Sequence, residues 1–524
     1  MNARFPLIYT LFGLLAASFL ALAAPASAEY MYRIPLKTLE VAPSNPLALR
    51  LTTEELPEGM VGAAYSFDFK SLLSLTGDVV PAVSDVQWRV ASGALPQGLL
   101  LDGATGMLTG TPQVPNKTGA EFEIVSSYQT TEGRQVYVIV VNGARLLVTS
   151  ISASGTSTCA VTLEGGVKCW GANNFGQLGD GTTTARTTPV NVIGLSSGVK
   201  QVEVNPGSTF ACAVLDNGQG RCWGRLTLNG NLGTGTAAPW PYTPVIVSTP
   251  ASTVLTDIDK IALGADTGCA LRKTGAVRCW GDGRMGELGD GVAPEGSPLP
   301  AYASATPVQV QGITSGATDI AAGNSHFCAV HLGAAKCWGT AAWGETGVDG
   351  GGWNQARQKS PRTITAANAN MVSVALGLSH SCGLNASGGV ICWGHNGQGQ
   401  LGFGNITHSV GVQVNGLTSG VTHLTAGLQQ TCAVKNGGAY CWGRNDTGQL
   451  GDGTAVSPRL TPVAVSGLPE GSGVQALFSK YFTTCARIKG TISKCWGVNS
   501  YNQMLDGTTT TRNQASEFGE GAGL

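Results

Sequence analysis

The residue type best able to do chemistry in this chain is cysteine. There are 14 Cys, in seven close pairs: Cys159/Cys169, Cys212/Cys222, Cys269/Cys279, Cys328/Cys337, Cys382/Cys392, Cys432/Cys441 and Cys485/Cys495. Paired thiols can hold zinc or form structural bridges. Zinc sites use ligands two to four residues apart, commonly with His. Here the partners are nine or ten residues apart and the chain has 6 His, so structural disulfides are expected and a metal is not. His326 and His380 each precede the first Cys of a pair by two residues, a fixed repeat position with no third ligand in view. Asp180, Asp290 and Asp452 sit in Gly-Asp-Gly turns, which lack the residue order of a calcium loop and read as turn caps. No nucleophile elbow, phosphate loop or metal-ligand cluster is apparent, so neither an enzyme nor a cofactor is expected.

The spacing within each pair defines the elements that must carry it. For Cys432/Cys441, pairing the two Cys across strands leaves Asn436-Gly437 as a two-residue loop, a strong hairpin signal. For Cys269/Cys279 the loop becomes Lys273-Thr274-Gly275, with Gly in third place; Gly165, Gly218 and Gly388 hold that place in three other pairs. This predicts three-residue hairpins with a glycine bulge. In the last pair Gly490 stands one place early. The loop absorbs the difference in spacing, so the Cys stay directly opposed, at a separation a disulfide can span. Each such bridge contributes roughly 2–3 kcal/mol in the chain-entropy account.

The pairs recur at a fixed period. Cys159 to Cys485 is 326 residues over six steps, about 54 per unit, a period typical of stacked supersecondary units. In the second unit, Val199 to Val204, Phe210 to Leu215, Gly220 to Gly224 and Thr243 to Ser248 read as four strands. Seven four-stranded units bury their faces if they close into a ring. The expected fold is all-β, a seven-bladed β-propeller. Trp170, Trp223, Trp280, Trp338, Trp393, Trp442 and Trp496 each follow the second Cys directly, a constancy that predicts packing between blades rather than a sugar-stacking ladder. The last unit has only a weak fourth strand, near Asn513 to Phe518, whereas Arg145 to Ser152 is a strong candidate before the first hairpin. The chain ends are therefore expected to meet and to close the ring by strand pairing.

The unit also carries a motif. The first repeat reads Gly171-Ala172-Asn173-Asn174-Phe175-Gly176-Gln177-Leu178-Gly179-Asp180-Gly181-Thr182, then Pro189-Val190-Asn191-Val192; it recurs from Gly443 and degrades from Gly339. With C-A-V/L and C-W-G, this resembles the regulator of chromosome condensation repeat family over residues 144–524. The resemblance implies a seven-bladed propeller, with paired Cys as in exported bacterial-type members. That family includes a nucleotide exchange factor for a nuclear GTPase and a secreted inhibitor of β-lactamases; an export signal and seven disulfides fit the second setting and not the first. Residues 47–143 have no Cys, and LPQGLLLDGATGMLTGTPQ from Leu95 resembles the Ig-like modules of bacterial surface proteins. It implies a small β-sandwich, with Leu56 to Gly59 and Val61 to Tyr65 in its first strand and Glu121 to Val125 and Gln135 to Val141 in its last.

Arg4, an apolar run from Leu7 to Ala24 and Ala26-Ser27-Ala28 form a secretory signal pattern, so residues 1–28 are expected to be removed before Glu29, leaving 29–46 as a leader or linker and no membrane span. With 31 Lys+Arg against 32 Asp+Glu, charge gives no reason to expect nucleic acid. The expected protein is an exported, periplasmic or cell-surface monomer that binds a protein or glycan on one propeller face. The competing classes are a propeller enzyme acting on polysaccharide and a secreted inhibitor of an extracellular enzyme.

The binding residues are sought in the longer loops. From the repeat Trp to the later Pro is 19 residues in the first unit but 27 from Trp280 to Pro307 and 23 from Trp338 to Pro361. These loops and that of the second unit carry Trp240, Tyr242, Tyr302, Trp343 and Trp353; loops often carry function, and Trp and Tyr anchor interfaces. The hairpin unit itself has a direct check. Non-reducing peptide mapping should find every Cys joined within its own pair, and a Cys169–Cys212 bridge or mostly free thiols would refute the unit.

Overall fold

A computed structural model describes residues 45–143, 146–235, 240–248, 254–295, 301–347, 357–365, 370–406 and 409–519. Seven four-stranded antiparallel sheets follow one another along the chain, each with its strands in sequence order. They form the blades of a propeller. Blade 1 consists of Val148–Ala153, Ser157–Thr162, Val167–Gly171 and Arg186–Asn191; blade 7 consists of Val474–Lys480, Thr483–Ile488, Thr491–Gly497 and Arg512–Glu517. The first strand of every blade lies against the first strand of the next, and Val474–Lys480 lies against Val148–Ala153, so the ring is closed.

Every Cys is bridged within its own hairpin: Cys159–Cys169, Cys212–Cys222, Cys269–Cys279, Cys328–Cys337, Cys382–Cys392, Cys432–Cys441 and Cys485–Cys495, with Cα atoms 4.0–4.1 Å apart. In each the two Cys are directly opposed across the second and third strands of a blade, as the spacing predicts. The hairpin turns follow the predicted chemistry. Asn436 and Gly437 both have positive φ (50° and 72°) between the paired residues Lys435 and Gly438, as a primed two-residue turn requires. In the ten-residue pairs, Arg272 bonds to Ala276 across Lys273-Thr274-Gly275, with Gly275 at φ 79°. The last pair differs. Lys489-Gly490 forms a two-residue turn between Ile488 and Thr491, and a bulge beside Arg487 takes up the extra residue.

Blade seams rest on the repeat tryptophans, all fully buried. Each packs in one cluster with the disulfide of the preceding blade. Trp223 lies with Cys159 and Cys169, Trp280 with Cys212 and Cys222, and Trp338 with Cys269 and Cys279. Trp393 lies with Cys328 and Cys337, Trp442 with Cys382 and Cys392, and Trp496 with Cys432 and Cys441. Trp170 completes the ring on Cys485 and Cys495. Six of the indole N–H groups donate to a backbone carbonyl of the preceding blade, at 2.9–3.0 Å: Trp170 to Asn502, Trp223 to Gln177, Trp280 to Asn231, Trp338 to Glu287, Trp393 to Glu345 and Trp442 to Gln400. A buried indole left without an acceptor costs stability; Trp496 alone of the seven has none.

The third-to-fourth strand connection is organised by the Gly-x-Asn motif. In blade 1, Asn173 Oδ1 accepts from Leu178 N, and its Nδ2 donates to Asp180 and Thr182. Asp180 accepts from Thr182 and Arg186, so it caps the turn. Burial would raise the Asp180 pKa, but donors from Thr182, Arg186 and Asn173 hold it below the usual carboxylate value. Asn445/Asp452 and Asn499/Asp506 repeat this network. The buried Gln that follows pins the tip of the turn: Gln177 Oε1 accepts from Phe175 N, while its Nε2 donates to Ser208 O of blade 2.

In blades 3 and 4 that Gln is replaced by Glu287 and Glu345, 5% and 2% exposed, which accept from Met285 N and Trp343 N at 2.7 Å. A carboxylate cannot supply the Nε2 donor, and burial pushes both groups up to about 7. His326 and His380, also buried, accept or donate at Ser381 Oγ (3.0 Å) and Thr431 Oγ1 (2.9 Å) across the seams, and burial lowers both to about 3. Their role is structural.

The N-terminal region holds a four-stranded sheet of Gly59–Met60, Thr131–Asn142, Asn116–Tyr128 and Gln87–Gly93 and a three-stranded sheet of Tyr65–Asp68, Met107–Gly110 and Leu99–Leu101. Ala48–Leu51 pairs with Leu73–Thr76. The core includes Phe69, Trp88, Phe122, Ile124, Tyr137 and Ile139. The LPQG segment forms the Leu99–Leu101/Met107–Gly110 hairpin. Asp102 caps its turn through Ala104 N and Thr105 N. At Gly106 (φ 69°) a Cβ would lie 2.7 Å from the Trp88 ring, so that position requires glycine. The last strands are longer than expected, and Leu56–Glu58 is not strand; Gly59–Met60 pairs parallel to the end of Thr131–Asn142.

Two other expectations change, and one falls outside the described residues. The fourth strand of blade 2 shrinks to Val245–Ile246. Residues 1–44, which include the signal pattern, lie outside the described residues. Ring closure uses no strand exchanged between the chain ends. Arg512–Glu517 already supplies the fourth strand of its own blade, pairing Lys494 with Glu517 and Cys495 with Ser516. The ends instead meet face to face, through Leu146, Val148, Ile151 and Trp170 against Met504, Leu505 and Phe518.

Two outcomes follow for stability. Phe518 is buried in the closing seam, 6.3 Å from Trp170, so Phe518→Ala should cost about 3 kcal/mol and deletion of residues 508–524 should lower the melting temperature of the whole propeller. An unchanged midpoint for the deletion would contradict closure by this seam. The buried glutamates set a pH dependence. Their folded pKa, about 7, lies above the unfolded value. The stability they allow is therefore full below about pH 4.5 and falls as pH rises through about 7, by up to about 3 kcal/mol each. The double variant E287Q/E345Q should match the wild type near pH 5 and melt higher near pH 8. A melting difference that does not change with pH would refute this.

Candidate functional site

The topology sorts the loops. First-to-second and third-to-fourth strand connections emerge on one face of the ring, where Ala172 N bonds Thr156 O. Second-to-third hairpins and the crossings between blades lie on the other, where Val199 N bonds Gly165 O. Of the aromatics singled out from sequence, Trp240, Tyr242, Tyr302 and Trp343 belong to third-to-fourth connections and hence to the first face, here the loop face.

The cysteines, the most reactive residue type in the sequence, take no part in a site. All fourteen are buried and bridged, and no free thiol remains. Cys222, Cys279, Cys337, Cys392 and Cys441, like Cys169 and Cys495, stand inside third strands of blades. They hold the seams rather than a ligand.

The channel through the ring, about 500 Å³, is lined by the first strands of all seven blades. Its charges compensate one another: Lys200–Asp259 (2.9 Å), Lys260–Asp319 (2.6 Å) and Lys480–Glu203 (2.5 Å). Water reaches the Lys260 side chain, 38% exposed, though it stands deep in the ring. Burial alone would lower its pKa, but Asp319, with Glu203 and Asp259, holds it above the ordinary lysine value. Polar side chains here cap the free edge of the next inner strand. Ser152 Oγ accepts from Val204 N, Gln201 Oε1 from Ile261 N, Asp319 Oδ2 from Val374 N, and His423 Nδ1 from Leu477 N. Burial, then the Arg487 and Lys260 charges, lowers His423 to about 4, so it is neutral at pH 7. The charged Lys, Asp and Glu side chains of the channel are thus paired within the ring itself.

The loop face is different. Trp240 and Tyr242 are 42% and 40% exposed. Trp240 meets the Phe175 ring of blade 1 edge to face at 5.4 Å, and a Cβ on Gly176 would strike Tyr242. The Arg225 guanidinium lies over Phe175, 5.5 Å from its centroid. Tyr302 turns into its own loop, over Gly283, with its hydroxyl donating to Asp290. Trp343 is half-buried and meets His395 of blade 5 at 4.9 Å. Trp353 lies outside the described residues. The four described residues thus share a face, but the ring contacts of Trp240 and Trp343 run to Phe175 and His395. Phe175 and Arg225 were missed, because only folding brings Phe175 of blade 1 against Trp240 and Arg225 of the blade 2 connection. Among the described residues, no three or more His, Cys, Asp or Glu side chains are grouped to hold a metal.

Comparison with known proteins places this geometry. Residues 129–485 match the RCC1-like domain model, and residues 31–142 match the He_PIG Ig domain model. Human E3 ubiquitin-protein ligase HERC2 is 36% identical over 149 residues, 28% of this chain and 3% of that protein. The ultraviolet-B receptor UVR8 of Arabidopsis thaliana is 28% identical over 258 residues, 48% of this chain and 54% of that protein. The chain thus spans a small part of the first and about half of the second. The structure of yeast RCC1 (Prp20) bound to Kap60 superposes with a TM-score of 0.51 at 23% identity, covering 61% of this chain and 74% of that one, a likeness of fold. With seven Trp-sealed blades and a family match over more than half its length, the chain belongs to the RCC1-like domain family.

Proposed function

We propose that this protein is an exported binding protein that engages a protein partner through the loop face of its propeller, with the Ig-like region as a spacer. The observation that carries the reading is the contrast between two surfaces. The channel matches each of its Lys with an acid, whereas the loop face presents Trp240 and Tyr242 to solvent beside Arg225. Trp, Tyr and Arg are the residues that most often dominate binding energy. Two further supports come from the family, in which a solved relative is held by another protein, and from the compartment. The N-terminal signal pattern and seven disulfides suit an oxidising environment.

The test has two parts. N-terminal sequencing of the chain recovered from an exporting host should begin at Glu29. A photo-crosslinking amino acid at position 240, on the loop face, should give a discrete protein adduct in the native compartment, and the same probe at Leu163 on the hairpin face should not. Retention of residues 1–28 in the cytosol, or equal adducts from both faces, would overturn the proposal.

A further inference from the structure

The tips of the third-to-fourth connections stand at equivalent places around the loop face. In six blades the backbone N–H of the tip residue is pinned by a buried side chain two residues later: Phe175 by Gln177, Met285 by Glu287, Trp343 by Glu345, Gln398 by Gln400, Thr447 by Gln449 and Tyr501 by Gln503. In blade 2 Asn231 accepts from Thr227 N, Asn229 holds the place of Phe175, and the residue before it, Leu228, is presented from the same turn. Except in blade 6, where Thr447 Oγ1 also donates to Gln449 Oε1, the tip's own side chain makes none of these bonds.

What those positions carry is uneven around the ring. Blades 7, 1, 3 and 4 carry Tyr501, Phe175, Met285 and Trp343 there, blade 2 carries Asn229 with the exposed Leu228 just before it, and blades 5 and 6 carry Gln398 and Thr447. Leu228 is 99% exposed and Tyr501 47%, while Phe175, Met285 and Trp343 are half-buried. An exposed Leu at a turn tip gains nothing for the fold. Four apolar tips and Leu228 form an arc over five neighbouring blades, with Trp240 joined to it at Phe175 and Tyr242 at Gly176.

The charges on the arc are unequal too. Arg284 is tied to Asp282 at 2.6 Å, and Arg444, beyond the arc, to Asp446 at 2.6 Å. Arg225 is exposed and makes no ion pair or side-chain hydrogen bond among the described residues; it rests on the Phe175 ring. An Arg held on an aromatic face keeps its donors turned to solvent and ready for a carboxylate.

We infer that the arc over blades 7, 1, 2, 3 and 4 is a preorganised docking surface for a protein segment that presents aliphatic or aromatic side chains together with one carboxylate for Arg225. The inference rests on the protein-binding reading above and gives the partner its chemistry. A protein segment fits better than a glycan because Leu228 and Met285 offer no ring face for a sugar to stack on, whereas both suit an apolar side chain. Because the tips are pinned before binding, little ordering cost is added on association.

The test pans a random dodecapeptide phage library on the full, oxidised chain and measures selected peptides against three variants with intact disulfides and unchanged circular dichroism. Enriched peptides should combine apolar residues with Asp or Glu. Their affinity should fall at least about tenfold for L228D/M285D and stay unchanged for Q398D/T447D on blades 5 and 6. R225Q should weaken them, and replacing the peptide acid by its amide should then cost nothing more. Peptides that bind L228D/M285D at full strength, or that are lost only on Q398D/T447D, would overturn the arc while leaving protein binding intact. Failure to select any peptide, with Trp240-dependent binding on a glycan array instead, would overturn both the arc and the protein-binding reading.

Discussion

No backbone ladder joins one blade to the next, so the ring depends on what each seam buries and on whether the buried polar atoms find partners. The repeat tryptophan meets both needs. Its ring covers the disulfide of the blade before it, and its N–H reaches a carbonyl in that blade's tip turn. The residue giving that carbonyl is in most blades the buried Gln or Glu that pins the tip, as Gln177 does in blade 1. One residue thus couples the seam, the turn and the presented side chain. Approach is so close that Gly179 has the Trp223 ring 2.9 Å from where its Cβ would stand. Blade 7 solves the same problem differently, with Leu505 at φ 50° and Trp170 bonded to Asn502 O.

A closed ring creates a second difficulty, since each inner strand has one edge with no strand beside it. Unpaired edges invite aggregation and leave N–H groups without acceptors. Here the neighbouring blade supplies side-chain acceptors of four chemical types: a hydroxyl from Ser152, an amide from Gln201, a carboxylate from Asp319 and an imidazole from His423. The Asp319 charge so introduced is matched by Lys260. The polar character of the channel therefore has a structural cause. Ser152, Gln201, Asp319 and His423 are held in the channel by the strand edges they finish.

How much of this was legible in sequence divides along the same line. The hairpins were readable because turn chemistry is local: Asn436-Gly437 and Lys273-Thr274-Gly275 each state their own geometry. The seven blades and the disulfide pairing followed from period and spacing. Closure was not readable. The polar run from Arg512 to Glu517 gives no sign of either, and only Phe518, with Met504 and Leu505, packing against Trp170 shows that face packing is used. The site was half legible. Trp240 and Tyr242 stood out as unusual loop aromatics, but their partners Phe175 and Arg225 belong to ordinary-looking repeat segments. Tyr302 looked equivalent and instead bonds within its own loop.

That failure has a physical reason with wider use. In a repeat protein the residues that recur are those the fold needs, and a motif search finds them first. The residues free to serve a partner occupy positions where the backbone is held by something else. Gln177 holds the turn whether its tip is Phe175 or, as in blade 6 with Gln449, Thr447. A side chain at such a place can change from apolar to polar with little cost to the turn. Its identity is then not fixed by the turn bond. Aligning the repeats and asking what each recurring Gln or Glu makes unnecessary leads from Gln177 to Phe175, and from there to Met285, Trp343 and Tyr501, with Leu228 one place before the corresponding Asn229 of blade 2.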